Sequence, residues 1–122
     1  MATILIVEDN EANMKLATFL VESAGHSALS ATDAESGLLA ARREQPDLIL
    51  LDIQLPGMDG LQAVALLKRD PATSAIPVIA LTALAMKGDE ERIRAAGCDG
   101  YVAKPLNYQQ FLAAVARHLV RP

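Results

Sequence analysis

The most restrictive feature of the sequence is a regular alternation of short apolar runs with longer amphipathic segments. Three of the runs, at residues 4–7, 48–51 and 78–81, contain no polar residue. Unbroken runs of this length are typical of parallel strands that helices cover on both faces of a sheet. The pattern therefore predicts an open parallel sheet, with the connecting helices packed on its two sides.

Five strands and five helices can be assigned from this alternation. The strands are predicted at residues 4–7, 27–31, 47–51, 77–81 and 100–102, and the helices at 11–24, 34–44, 59–69, 86–96 and 107–120. Asp33 and Asn107 are suitable N-terminal caps, and Gly25 and Gly97 follow predicted helix ends. We predict one doubly wound α/β domain over residues 1–122, with no output domain.

Charge and cysteine content exclude several function classes. The formal net charge of -4 and a pI near 5.0 argue against a basic nucleic-acid-binding face and against attraction to anionic membranes. No apolar run approaches the length that spans a bilayer. Cys98 is the only cysteine, so an internal disulfide is impossible and a reducing cytoplasm is the expected location.

Ionisable and hydroxyl side chains follow four of the five predicted strands. Glu8 and Asp9 follow the first strand, Asp52 the third, Thr82 the fourth and Lys104, after a short interval, the fifth. Doubly wound sheets bind their ligands at the carboxyl ends of the strands. We therefore expect these five side chains to meet in one crevice.

The composition of this crevice predicts magnesium-dependent phosphoryl chemistry. Three carboxylates repel one another, and Mg²⁺ relieves that repulsion while it also binds phosphate oxygens. An Asp carboxylate can attack phosphorus to form an aspartyl phosphate, and Lys104 and Thr82 can neutralise the oxygens of the transferred group. For Glu8 or Asp9 alone, a simple helix-capping role stays open. The bond between Lys104 and Pro105 is predicted to be cis.

Four motifs at these positions resemble the response-regulator receiver domain of two-component signalling. They are ILIVEDN at 4–10, DLILLDIQLPGMDG at 47–60, PVIALTA at 77–83 and YVAKP at 101–105. The resemblance implies a flavodoxin-like or CheY-like fold with strand order 2-1-3-4-5. It also implies these roles: phosphoacceptor Asp52, phosphoryl-binding Lys104, switch pair Thr82 and Tyr101, and Mg²⁺ ligands Glu8, Asp9, Asp52 and the backbone carbonyl of Gln54.

The same resemblance implies the partners. The phosphodonor would be a histidine kinase or a histidine phosphotransfer protein, and a downstream protein would bind the switched face. The chain would be a monomer or a weak dimer that catalyses its own phosphorylation and slow dephosphorylation, not an enzyme with a separate substrate. Gln54 and Leu84 flank the site without offering an acid or a base, so efficient hydrolysis is not expected.

Other functions remain as alternatives. The chain could be a receiver domain cut from a hybrid histidine kinase, or a structural docking piece that has lost its chemistry, although the complete acidic set argues against the latter. A magnesium-dependent phosphatase with an Asp nucleophile is disfavoured because the segment from Asp52 to Gln54 lacks a second acid. A flavin or nucleotide carrier is disfavoured because no phosphate-binding glycine loop is present.

The first predicted helix carries two apolar stripes at helical spacing, whereas a surface helix normally shows one. We predict that one stripe faces the core and that the other is an exposed docking strip for a histidine-bearing helical partner. The alternative, that the second stripe lies partly under neighbouring helices, stays open. The predicted core stripe is Ala12, Leu16, Phe19, Leu20 and Ser23, and the predicted docking strip is Met14, Ala17, Val21 and Ala24.

Overall fold

The computed structural model describes residues 2–55, 57–83 and 87–119, and within these ranges strands and helices alternate five times. The strands are β1 (Thr3–Val7), β2 (Ser27–Ala31), β3 (Leu48–Asp52), β4 (Val78–Thr82) and β5 (Gly100–Ala103). The helices are α1 (Glu11–Ser23), α2 (Ala34–Glu44), α3 (Gly60–Arg69), α4 (Lys87–Ala96) and α5 (Tyr108–Leu119). Met86 and Val120, which the sequence assigns to helix ends, lie outside the described residues, as does Leu84.

The five strands form one sheet in the order β2-β1-β3-β4-β5, and every neighbouring pair is parallel. The predicted doubly wound fold and its strand order are confirmed. The third and fourth strands begin one residue later than predicted and end one residue later. Asp47 lies just before β3, and its side chain accepts a hydrogen bond from the amide of Thr3 at 2.8 Å.

The sheet separates two hydrophobic cores. Alternate side chains of β1, β3 and β4 point to opposite faces, as the two-residue period of a strand requires. One core contains buried residues of α2, α3 and α4, such as Ala41, Val64 and Ile93. The other contains buried residues of α1 and α5, including the fully buried Phe111. Helices thus cover both faces, which explains the unbroken apolar runs in the central strands.

The predicted orientation of the first helix was wrong for most residues of both stripes. Ala17 and Val21 of the predicted docking strip are fully buried, Leu20 is buried beside them, and Met14 packs partly against the same core. Leu20 is the one member of the predicted core stripe that is buried, and the others are exposed: Ala12, Leu16, Phe19 and Ser23. Ala24 of the docking strip is exposed, as predicted. Ala17, Leu20 and Val21 are three or four residues apart, so they lie on one face of the helix, and this face packs against the sheet. Both stripes are apolar, so periodicity could not choose between them.

Local signals confirm most of the predicted helix ends. The side chain of Asp33 accepts a hydrogen bond from the amide of Ser36 at 2.8 Å, and Asn107 accepts one from the amide of Gln110 at 3.0 Å. Gly25 and Gly97 have φ angles of 91° and 113°, which favour glycine. Among the described residues, every helix is too short or too polar to cross a lipid bilayer.

Candidate functional site

The side chains predicted to converge do meet at the carboxyl end of the sheet. Glu8 and Asp9 follow β1, and Asp52 is the last residue of β3. One carboxylate oxygen from each of the three lies within 4.8 Å of the others. Thr82 ends the neighbouring strand β4, and Lys104 follows β5 and reaches back to the acids. The parallel order of the strands brings them together, because it puts β1 and β4 on either side of β3.

Lys104 forms an ion pair with two buried carboxylates. Its Nζ lies 2.8 Å from Oδ2 of Asp52 and 2.9 Å from Oε1 of Glu8. The contact with Asp52 also has the geometry of a hydrogen bond. The peptide bond between Lys104 and Pro105 is cis, as predicted.

Backbone amides hold the other oxygen of each carboxylate. The amide of Gln54 donates to Oδ1 of Asp52 at 2.8 Å, and the amide of Asn10 donates to Oε2 of Glu8 at 3.1 Å. In both cases the donor is two residues after the acid, the spacing of a local side-chain turn. Each carboxylate is therefore fixed between an amide on one side and Lys104 on the other.

Burial and neighbouring charges shift the pKa values of all three groups. Burial raises the pKa of the Glu8 carboxyl, and the neighbouring Asp52 raises it further. Burial alone would also raise the pKa of Asp52, but its hydrogen bonds, first that with Glu8 and then that with Lys104, outweigh this effect and lower the pKa.

Lys104 completes the electrostatic arrangement. Burial alone would lower the pKa of its ammonium, yet the contacts with Asp52 and Glu8 raise it. Lys104 therefore stays charged and Asp52 ionised at neutral pH. An ionised carboxylate beside a fixed cation is the state that a phosphoryl acceptor requires.

The residues present fit a Mg²⁺ ion. Oε1 of Glu8 is buried, and although it is 2.9 Å from Nζ of Lys104, it accepts no aligned hydrogen bond from the described residues. Asp9 is exposed at the mouth of the crevice and completes the group of three carboxylates. Hard carboxylate oxygens, with room for water on the exposed side, match what Mg²⁺ requires.

The two predicted switch residues lie on neighbouring strands but in different surroundings. Thr82 is fully buried at the end of β4, whereas Tyr101 is 36% exposed on β5. Thr82 is paired with Ala103 and Tyr101 with Ala80, so the two residues are offset by two positions along the sheet. Thr82 therefore lies at the crevice end of the sheet, and Tyr101 lies two positions further from that end.

Sequence reasoning missed the contribution of Asn10. Its side chain caps α1 by accepting from the amide of Asn13 at 2.9 Å, while its own amide holds Glu8. The strong preference of Asn for N-terminal caps is the signal that could have found it. The sequence analysis gives a role to the carbonyl of Gln54 but not to its amide, which donates to Asp52.

Comparisons with known proteins agree with this geometry. The response regulator receiver domain matches residues 4–116 of the chain. The chain is 47% identical over 117 residues to the polar-differentiation response regulator DivK of Brucella anthropi, covering 96% of this chain and 95% of that protein. DivK of Brucella ovis is equally similar.

Solved structures share the fold. The chemotaxis response regulator CheY4 of Vibrio cholerae superposes with a TM-score of 0.92 at 25% identity, covering 98% of this chain and 99% of that one. The receiver domain of a sensor histidine kinase from Pseudomonas aeruginosa has a TM-score of 0.89 at 32% identity, with 97% of each chain covered. That structure holds a magnesium ion in its active site cleft.

Proposed function

Because the chain belongs to the response regulator receiver domain family, we propose that it is a phosphorylation-controlled switch that accepts a phosphoryl group on Asp52. The observation that carries the proposal is that the Asp52 carboxylate is held by contacts on both of its oxygens. This carboxylate is buried and held between the ammonium of Lys104 and the amide of Gln54. An arrangement that keeps a buried carboxylate ionised and fixed in direction favours attack on phosphorus.

The transfer has a simple balance. A carboxylate oxygen of Asp52 forms a bond to phosphorus while the bond from phosphorus to the donor breaks, a phosphohistidine nitrogen in a protein donor. The electron pair of the broken bond leaves with the donor. Lys104 then pairs with a phosphoryl oxygen, and the buried hydroxyl of Thr82 binds another. We propose that the donor is a histidine kinase or a histidine phosphotransfer protein in the cytoplasm.

We assign the Mg²⁺ ligands to Glu8, Asp9, Asp52 and the backbone carbonyl of Gln54. Two observations support this assignment: the group of three carboxylates, and the buried Oε1 of Glu8, which accepts no aligned hydrogen bond from the described residues. When bound, the ion neutralises negative charge that Lys104 alone cannot compensate. Asp9 would hold it from the exposed side of the crevice.

Phosphorylation would then switch the surface beside β5. A new phosphoryl group on Asp52 offers acceptors that the hydroxyl of Thr82 can reach, and movement of Thr82 opens space for Tyr101 to turn inward. The surface formed by α4, β5 and α5 would change shape and bind a downstream protein. NMR spectra should show changed amides at residues 87–94 and Tyr101 on phosphorylation, and identical spectra would refute the switch.

The docking surface for the phosphodonor must differ from the predicted strip. Ala17 and Val21 are buried, whereas Leu16 and Phe19 are 39% and 65% exposed on the outer face of α1. This helix begins at Glu11, two residues after Asp9, and Leu16 and Phe19 lie about one and two turns further along it. We propose Leu16 and Phe19 as apolar contacts for a helical phosphodonor.

If the chain were a receiver domain of a hybrid histidine kinase, the proposed chemistry at Asp52 would be the same.

Acetyl phosphate gives the direct test of the proposed function. With Mg²⁺ present, the protein should gain one phosphoryl group, detected by intact-mass spectrometry and removed by hydroxylamine, which cleaves acyl phosphates. Asp52→Asn should gain none, while Asp47→Asn, an acid at the start of β3, should react like the wild type. Equal labelling of Asp52→Asn would overturn the assignment. Turnover of small phosphomonoesters would favour a phosphatase instead.

A further inference from the structure

The start of α3 touches the backbone that carries Asp52. A Cβ atom built on Gly60 would lie 2.3 Å from Cα of Ile53 and 2.7 Å from the carbonyl oxygen of Asp52. Real Cβ atoms essentially never come closer than 3.0 Å to a non-bonded heavy atom of a residue that is not a chain neighbour. Both neighbours are backbone atoms, so no side-chain rotation can make room. Only glycine therefore permits this contact.

A second contact fixes the same segment from the other side. The amide of Ile53 donates to the carbonyl of Leu81 on β4 at 3.2 Å, and the carbonyl of Ile53 accepts from the amide of Gly60 at 3.2 Å. Ile53 is thus held between the sheet and the first turn of α3. The next amide, that of Gln54, is the one that donates to Oδ1 of Asp52.

We propose that Gly60 is a positioning residue for phosphoryl transfer. Because Gly60 has no Cβ, α3 can pack directly against the backbone of residues 52–53. This packing holds the segment in the conformation in which the Gln54 amide donates to Asp52. This proposal rests on the proposed function of Asp52. With Oδ1 held by the amide, the rotation of the carboxylate is fixed, and Oδ2 must face Lys104 at 2.8 Å. Gly60 thus acts on the reacting group through Gln54, without touching it.

A side chain at position 60 would displace the loop more easily than the helix. Ala63, Val64 and Leu67 anchor α3 in the core and are almost fully buried. The helix start is also tied by Asp59, whose side chain accepts from the amide of Leu61 at 2.9 Å and whose amide donates to Gln62. The segment that follows β3 is therefore expected to shift, and the Gln54 amide to leave Asp52.

The test compares Gly60→Ala with Gly25→Ala. Gly25 has a φ of 91° and no atom within 4 Å of its added Cβ, so alanine there costs stability through backbone strain alone and leaves the crevice untouched. At saturating Mg²⁺, Gly60→Ala should react with acetyl phosphate at least tenfold more slowly than the wild type. Gly25→Ala should react within twofold of the wild type, even if it unfolds at a lower temperature.

A spectroscopic readout separates positioning from stability. Loss of the bond to Asp52 should move the amide proton of Gln54 upfield in Gly60→Ala and leave it in place in Gly25→Ala. If Gly60→Ala does not fold, Asp59→Ala is used instead, because it releases the start of α3 without adding atoms. The amide proton of Gln54 should then also move upfield. A wild-type reaction rate, or an unmoved Gln54 amide in the folded variant, would overturn the role of Gly60.

The two proposals fail in different ways. If the wild-type protein took up no phosphoryl group, or if Asp52→Asn took one up, the proposed function itself would be wrong. If the wild type reacts at Asp52 while Gly60→Ala reacts equally fast, only the positioning role is lost.

Discussion

The side-chain nitrogen of Lys104 lies 2.8 Å from Oδ2 of Asp52, although 52 residues separate them in the chain. The same nitrogen is 2.9 Å from Oε1 of Glu8, so one ammonium compensates two buried carboxylates. A buried charge that loses its partner is costly, and each of the three groups therefore depends on the others. Lys104 is a counterion for the crevice before phosphorylation and, as we propose, a ligand for the phosphoryl group after it.

Replacement of Lys104 by methionine should strengthen Mg²⁺ binding and slow phosphorylation. Without the ammonium, the repulsion among the carboxylates is relieved only by the bound cation, so we expect about tenfold tighter binding, about 1.4 kcal/mol. NMR titration with MgCl₂ measures the affinity, and acetyl phosphate the rate. Lys15→Met is the control, because Lys15 pairs with Glu11 on the exposed face of α1. Weaker Mg²⁺ binding in Lys104→Met would contradict the view that Lys104 and Mg²⁺ compensate the same carboxylates.

The sequence predicted the members of the crevice because each lies next to a recognisable strand. Asp52 and Thr82 follow unbroken apolar runs, and parallel strands bring their carboxyl ends to one edge. The same reasoning could not find the amides of Asn10 and Gln54. Backbone donors are present at almost every residue, and only the folded geometry selects the two that face carboxylates.

The failure on α1 has a different cause. Helical periodicity identifies stripes but does not say which stripe faces the sheet when both are apolar. Helical spacing assigns Phe19 to the core stripe, but the structure exposes it and buries Ala17 and Val21 instead. Which face of α1 is buried depends on how it packs against β1 and α5, whose residues are distant in sequence.

Core truncation tests the corrected orientation of α1. Val21→Ala should lower the free energy of unfolding by about 2 kcal/mol, because it leaves a cavity among fully buried side chains. Phe19→Ala should change it by no more than about 0.5 kcal/mol, as expected for an exposed residue. Urea denaturation followed by circular dichroism measures both. A larger loss in Phe19→Ala than in Val21→Ala would restore the original prediction.

The single thiol should be unreactive in the folded protein at neutral pH. Burial, and to a smaller extent the nearby Asp99, raises the pKa of Cys98 to about 11. Since only the thiolate is nucleophilic, a pKa of about 11 leaves roughly 0.1% of it reactive at pH 8, and the fraction grows as pH rises towards that value. Alkylation by iodoacetamide should be slow at pH 8, faster at higher pH, and rapid at pH 8 in urea. Equal rates in native and unfolded protein at pH 8 would contradict the burial of Cys98.

The exposed face of α1 can be tested separately from the chemistry of the crevice. Phe19→Ala should slow transfer from a cognate phosphohistidine protein about tenfold or more, because an apolar anchor at an interface contributes on the order of 1–2 kcal/mol. Reaction with acetyl phosphate should be unchanged, since Phe19 lies outside the crevice. Leu39→Ala on α2 is the matched control, because Leu39 is 64% exposed and Phe19 65%. If both variants slowed transfer equally, or if neither did, the docking surface would not be this face of α1. If Phe19→Ala alone slowed transfer while acetyl phosphate still reacted normally, the helix would position the donor while Asp52 and Lys104 supply the chemistry.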